Sequence, residues 1–125
     1  MGTADHIRTG REAEDRAVAL VEGRGYRVVD RNYREARGEL DIIAWDGDVL
    51  VFVEVRARHA DCFGAVAESI GPSKRAALIR TARGYLRTHD LEDAPVRFDV
   101  VTFAGEDLER VRLFTDAFEV SDPWR

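Results

Sequence analysis

The stretch Gly38–Arg58, GELDIIAWDGDVLVFVEVRAR, reads as two β-strands joined by a tight turn. Val, Ile, Leu, Phe and Trp dominate both arms, and Asp46-Gly47 between them is a dipeptide suited to a type I′ hairpin turn. With those two residues as the loop, Trp45 lies opposite Asp48, Asp41 opposite Phe52 and Glu39 opposite Glu54. Side chains alternate across a strand, so this register predicts one apolar face of Leu40, Ile42, Ala44, Val49, Val51, Val53 and Val55. The other face carries Ile43, Trp45, Leu50 and Phe52 toward the turn, but Glu39, Asp41, Glu54 and Arg56 at the open end. Asp41 and Glu54 become diagonal neighbours, roughly 7 Å or less between Cβ atoms, and like charges so placed repel. Two accounts are open. A divalent cation such as Mg²⁺, which takes carboxylate and carbonyl oxygens, would bind them together; alternatively, the strand end reaches solvent and Arg56 neutralises the acids. A three-residue loop would send Asp41 and Glu54 to opposite faces, so the metal reading depends on the turn.

Upstream, Ala13, Ala17, Leu20 and Val21 recur at helical spacing from about Thr9 to Gly23, with Thr9 as a candidate N-cap and Gly23 or Gly25 closing the helix. Glu14 borders that apolar stripe. It either points along the sheet toward the hairpin or, with Glu12 and Asp15, favours a helix N-terminus through the dipole. Gly25–Tyr33 reads as a strand, and Arg34 to Arg37 as a basic turn into the hairpin. Arg24, Arg27, Arg31, Arg34 and Arg37 crowd this region, either as a solvated face or as a place to hold a phosphate backbone.

Downstream, residues 59–72 lack a sustained pattern and read as a loop with a short helical turn at Ala65–Ser69. Ser73 is the expected N-cap of a helix running to about Thr88, with Ala77, Leu78, Thr81, Tyr85 and Leu86 inward and Lys74, Arg75, Arg80, Arg83 and Arg87 outward. Val96–Ala104 reads as a strand, and Val111–Phe114 as an edge partner after a turn at Gly105–Glu109. Asp99 is an oddity inside an apolar strand, better suited to a structural hydrogen bond than to chemistry. The three histidines and Cys62 fall in no metal or nucleophile spacing.

At 125 residues the chain suits one domain, expected over 9–119 with tails at 1–8 and 120–125. A single cysteine excludes an internal disulfide, no apolar run reaches the ~20 residues of a membrane span, and the N-terminus has no apolar leader, all of which fit the cytoplasm. The net charge of −5 argues against a protein that coats nucleic acid. Its distribution is uneven, however: residues 24–87 hold twelve Lys/Arg against nine Asp/Glu, so a local basic face is compatible with it.

Helix, strand, acidic hairpin, helix, strand is the order of the αβββαβ core of PD-(D/E)XK nucleases. Within that group the chain resembles the YraN-like family of predicted endonucleases related to archaeal Holliday-junction resolvases. Gly10 with Glu14 and Ala17, GYRVVDRNYR, GELDIIAWDG, VFVEVRAR, Phe63-Gly64, Lys74, Tyr85-Leu86 and RFDVV carry the resemblance over nearly the whole chain. It implies a restriction-endonuclease-like α/β fold, with a mixed central sheet flanked by helices. It also implies a metal-dependent endonuclease acting on DNA, branched or structured DNA included.

Position by position, the resemblance implies that Asp41 and Glu54 bind Mg²⁺ or Mn²⁺, with the Val55 carbonyl as a further ligand, Glu14 as the helix-borne acid and Glu39 in support. Arg31, Arg34, Arg37, Arg58, Lys74 and Arg75 would hold the DNA backbone. A homodimer is suggested by resolvase relatives, since a symmetric two-strand cut needs two sites. The departure is Arg56, where the family has lysine: Arg can stabilise phosphate charge but stays protonated on a longer, planar fork. The alternative is therefore a nucleic-acid-binding module of the same fold with weak or no cleavage, and Lys74 is a candidate to take over the role of the missing lysine.

Overall fold

The computed structural model describes residues 10–36, 38–57 and 70–118. Helix α1 (Gly10–Gly23) leads into strands β1 (Arg27–Glu35), β2 (Gly38–Asp46) and β3 (Val49–Ala57), followed by helix α2 (Pro72–Thr88) and strands β4 (Val96–Ala104) and β5 (Arg110–Phe118). The five strands form one sheet in the order β1-β2-β3-β4-β5. Only β3 and β4 are parallel, with α2 lying between them in the chain; the other pairs are antiparallel. A parallel pair needs such a crossover, and the result is the restriction-endonuclease-like αβββαβ core with β5 added at one edge. The tails, the Thr9 cap, Arg37, Arg58, Cys62 and the helical turn at 65–69 lie outside the described residues.

The hairpin is the core of both layers. Ile42, Ala44, Val51 and Val53 pack with Ala13, Ala17 and Val21 of α1 on one face. Ile43, Leu50 and Phe52 pack with Leu78, Ala82, Tyr85 and Leu86 of α2 on the other. Because both faces are covered, the strands carry near-continuous apolar runs rather than a polar alternation.

The turn itself differs from expectation. Asp46 pairs with Val49, so Gly47-Asp48 is the loop and Trp45 faces Leu50. Gly47 has φ 61 while Asp48 is absent from the positive-φ residues, the pattern of a type II′ turn with glycine first. Asp46-Gly47 and Gly47-Asp48 are both turn dipeptides, and either gives a two-residue loop; the face assignment therefore survives while the pairing moves. One residue departs from it: Leu40 joins the α2-side cluster instead of the α1 side, because β2–β3 pairing ends at Ile42–Val53 and the alternation is lost beyond it.

Of the two glycines expected to close α1 (Gly10–Gly23), Gly25 does so, in a Schellman closure: the Gly25 amide donates to Glu22 O at 3.0 Å and the Tyr26 amide to Val21 O at 3.0 Å, with φ 96 at Gly25. The expected basic turn is shorter, since Arg34 and Glu35 still pair in β1 with Glu39 and Gly38. Helix α2 begins at Pro72 behind Gly71 rather than at a Ser73 cap, proline at the first position being preset for helical φ. Strand β5 runs past Phe114 to Phe118, whose ring stacks on Phe98 at 4.8 Å. Gly38 allows α2 to approach β2 closely: a Cβ there would collide with Thr81 Oγ1. No described helix is long and apolar enough to cross a membrane.

Candidate metal centre

At the open end of the hairpin the sheet gives way to side-chain bonding. The β2–β3 ladder ends at Ile42–Val53, just before Asp41 and Glu54, and Glu39 pairs with Arg34 of β1 instead of facing Glu54. The Val55 amide donates to Asp41 Oδ2 at 2.9 Å. A side-chain carboxylate thus accepts from a backbone amide beyond the last β2–β3 pair. It is the amide of Val55, not the carbonyl, that contacts Asp41.

Helix α1 then brings Glu14 over this end. Glu14, Glu39 and Asp41 each present a carboxylate oxygen, all within 4.8 Å of one another. Glu54 lies beyond Asp41, hydrogen-bonded to it, and is 7% exposed. Lys74, from the first turn of α2, places Nζ 3.5 Å from Glu54 Oε2. Three oxygen donors in that compass, with a fourth carboxylate adjoining, could serve a hard divalent cation as ligands.

The electrostatics show what this arrangement costs. Burial and the neighbouring Asp41 push Glu54 up to about 8. Burial raises Asp41 as well, against the opposing Val55 amide, and burial together with Asp41 raises Glu14, against hydrogen bonding from Asn32. Acids crowded in a low dielectric take up protons unless a cation replaces them.

Beside the acids lies a cleft of about 530 Å³, lined by Arg11, Glu14, Asp15, Arg31, Arg34 and Glu39 among others. Arg31 Nη2 donates to Asp15 Oδ1 at 2.6 Å and lies 3.9 Å from Glu14; Arg34 Nε is 3.5 Å from Glu39. Arg56 is half-buried, follows Glu54 on the same strand face by alternation, and pairs with Thr102 of β4. Arg75 turns elsewhere, donating to Ile70 O at 2.7 Å and lying over the Phe118 ring at 5.2 Å.

Arg24 and Arg27 do not join this cleft. Arg27 pairs with Trp45 near the turn, and Arg24 lines a separate cavity of about 660 Å³ with Asp46 and Arg97. Sequence reading missed Arg11, Asp15 and Asn32. Asn32 has φ 53, a conformation asparagine tolerates better than most residues, and RNY gave no sign that it would bond Glu14.

Comparison with known proteins places this arrangement in a family. Residues 13–103 match the model described as "Uncharacterised protein family UPF0102". A "UPF0102 protein" of Syntrophus aciditrophicus is 41% identical over 117 residues, covering 93% of this chain and 92% of that protein. Another, of Chlorobium limicola, is 42% identical over 108 residues, covering 85% and 84%. A third, of Shewanella loihica, is 36% identical over 118 residues, covering 94% and 100%. With the match running from α1 through β4 and the relatives spanned over most of their length, the chain belongs to the UPF0102 (YraN) family.

Proposed function

We propose that this protein is a metal-dependent endonuclease that hydrolyses phosphodiester bonds in DNA, with branched or structured DNA as the substrate class. The observation that carries the reading is the convergence of Glu14, Glu39 and Asp41 oxygens within 4.8 Å, next to buried Glu54 and an arginine-lined cleft. Asp41, Glu14 and Glu39 would hold Mg²⁺ or Mn²⁺, joined by Glu54 and the Val55 carbonyl. When bound, such an ion lowers the pKa of water and neutralises phosphate charge.

The protein's own residues do the rest. Arg56 donates to a non-bridging oxygen of the scissile phosphate, where charge grows as water adds to phosphorus and a P–O bond breaks. Lys74, 3.5 Å from Glu54, brings to the acids the compact ammonium that Arg56 cannot supply. Arg31 and Arg34, with Arg37 and Arg58, hold the flanking backbone, while Arg75, turned toward Ile70 and Phe118, takes no part; the enzyme acts as a homodimer when it cuts two strands symmetrically.

Four-way-junction and linear DNA incubated with purified protein and Mg²⁺ or Mn²⁺ should be cut, and EDTA should stop the reaction. Cleavage persisting in an Asp41→Ala, Glu54→Ala double variant would refute the assignment. A second reading, a DNA-binding module with little cleavage, is favoured by Arg56 alone. Under it the wild type binds DNA with steep salt dependence but does not cut, and Arg56→Lys confers cleavage.

A further inference from the structure

We infer that the cleft beside the acids is a phosphodiester-binding site whose arginines are held by the same carboxylates that take the cation, so that cation and nucleic-acid backbone bind cooperatively. This rests on the metal reading above. Each of the two more exposed acids of the trio has its own arginine: Glu14 faces Arg31 and Glu39 faces Arg34. Without a cation, a phosphate approaching the cleft meets guanidinium groups already neutralised, with Asp15 and Asp41 close by to repel it. Glu14 and Glu39, if they held a divalent ion with Asp41, would have their charge taken up by it and would turn from their arginines toward it. The guanidinium forks are then left for phosphate oxygens, which they bind in bidentate fashion.

The two arginines are not equivalent. Arg31 keeps Asp15 at 2.6 Å whatever happens to Glu14, whereas Glu39 is the only carboxylate within ion-pair distance of Arg34 among the described residues. The Arg34 side chain is also 76% exposed, so it reaches a ligand without rearrangement of the fold. Arg34 therefore carries most of the coupling. Exposed ion pairs are individually weak, and the coupling expected from releasing them is on the order of tenfold in affinity, equal in both directions by linkage.

The test titrates Mn²⁺ into the protein by calorimetry without DNA. It also measures binding of a labelled four-way-junction DNA by anisotropy, with Mn²⁺ or EDTA, before cleavage sets in as checked on a denaturing gel. Wild type should bind the DNA on the order of tenfold more tightly with Mn²⁺. Arg34→Gln should bind Mn²⁺ several-fold more tightly in the absence of DNA and lose most of the Mn²⁺-dependent gain in DNA affinity. Glu39→Gln should bind DNA more tightly in EDTA and respond less to Mn²⁺. Arg24→Gln removes the same charge near the turn and should leave Mn²⁺ affinity unchanged. Equal effects of Arg34→Gln and Arg24→Gln, or DNA affinity indifferent to Mn²⁺ in a wild type that does bind Mn²⁺, would overturn the coupling while leaving the metal reading intact. Absence of Mn²⁺ binding to wild type would overturn both.

Discussion

The two ends of the central sheet both bury carboxylates, yet they treat them in opposite ways. Near the turn, Asp99 is fully enclosed and every contact is a donor. Tyr26 OH reaches it at 2.6 Å, Arg97 Nε at 2.9 Å and the Asp116 amide at 2.9 Å, while Arg97 also donates to Asp46 at 2.8 Å. Asp99 pushes the Tyr26 phenol up to about 12, with burial as the larger cause, and raises Arg97; both donors stay protonated at any working pH. At the open end, Glu14, Glu39, Asp41 and Glu54 crowd one another, and each has only a sparse partner: Arg31 at 3.9 Å from Glu14, Arg34 at 3.5 Å from Glu39, Lys74 at 3.5 Å from Glu54 and the Val55 amide at 2.9 Å from Asp41. Burial is the largest cause that raises the open-end acids, and their few donors offset it only in part. An acid cluster that the fold leaves short of donors is where a ligand has something to gain.

The contrast can be broken most strongly at the satisfied end. Asp99→Ala removes the acceptor of Tyr26 OH, Arg97 Nε and the Asp116 amide in the bulge of β5, leaving Arg97 with Asp46, and it should cost about 3–5 kcal/mol in a denaturant titration. A loss below about 1 kcal/mol would show that the network is not structural.

At the open end the sign should reverse. Glu54→Gln removes a group that resists ionisation and should raise stability by about 1–3 kcal/mol at pH 8 without added metal, while abolishing cleavage. The pH dependence follows from the same shift. Glu54 titrates near 4.5 when unperturbed and near 8 in the fold, so between those values the folded state holds a proton the unfolded chain has released. Wild-type stability should therefore fall as pH rises through that window, and the fall should flatten in Glu54→Gln. A profile unchanged by the substitution would place the raised acidity elsewhere.

Tyr26→Phe keeps the ring in the α1-side core but removes a donor to Asp99, and should cost about 1–2 kcal/mol. Arg34→Gln is the smallest effect, within about 0.5 kcal/mol on stability because the pair is exposed, even as its DNA and Mn²⁺ affinities move. A large stability loss there would mean that Arg34 is structural and would remove it from the proposed site.

Legibility in the sequence was uneven for physical reasons. The hairpin and both helices follow from periodicity, since each has apolar residues at the spacing its geometry demands. The turn was harder: Asp46-Gly47-Asp48 contains two good loop dipeptides, and local preference does not separate them when the flanking pairs are apolar either way. Periodicity stops β5 at Phe114 because Thr115 and Asp116 break its alternation; Asp116 sits at φ 53 in a bulge where its amide donates to Asp99, 17 residues away. Among site residues, Asp41 and Glu54 stand out as acids in an apolar hairpin, and Glu14 entered through family resemblance. Arg11 and Asp15 look like ordinary surface charges until α1 is laid beside β1.

The sequence by itself determined which segments bury and which faces they bury, because side-chain periodicity is a local property of helix and strand. It also determined, through motifs that run nearly the length of the chain, the family. Only the tertiary structure decided which charges meet. Glu14 and Glu39 are 25 positions apart and Glu54 and Lys74 are 20 apart, and their encounters depend on how two helices cross opposite faces of one sheet. Whether a carboxylate ends as Asp99, surrounded by donors, or as Asp41, short of them, is set by neighbours remote in the chain, and no local pattern encodes them.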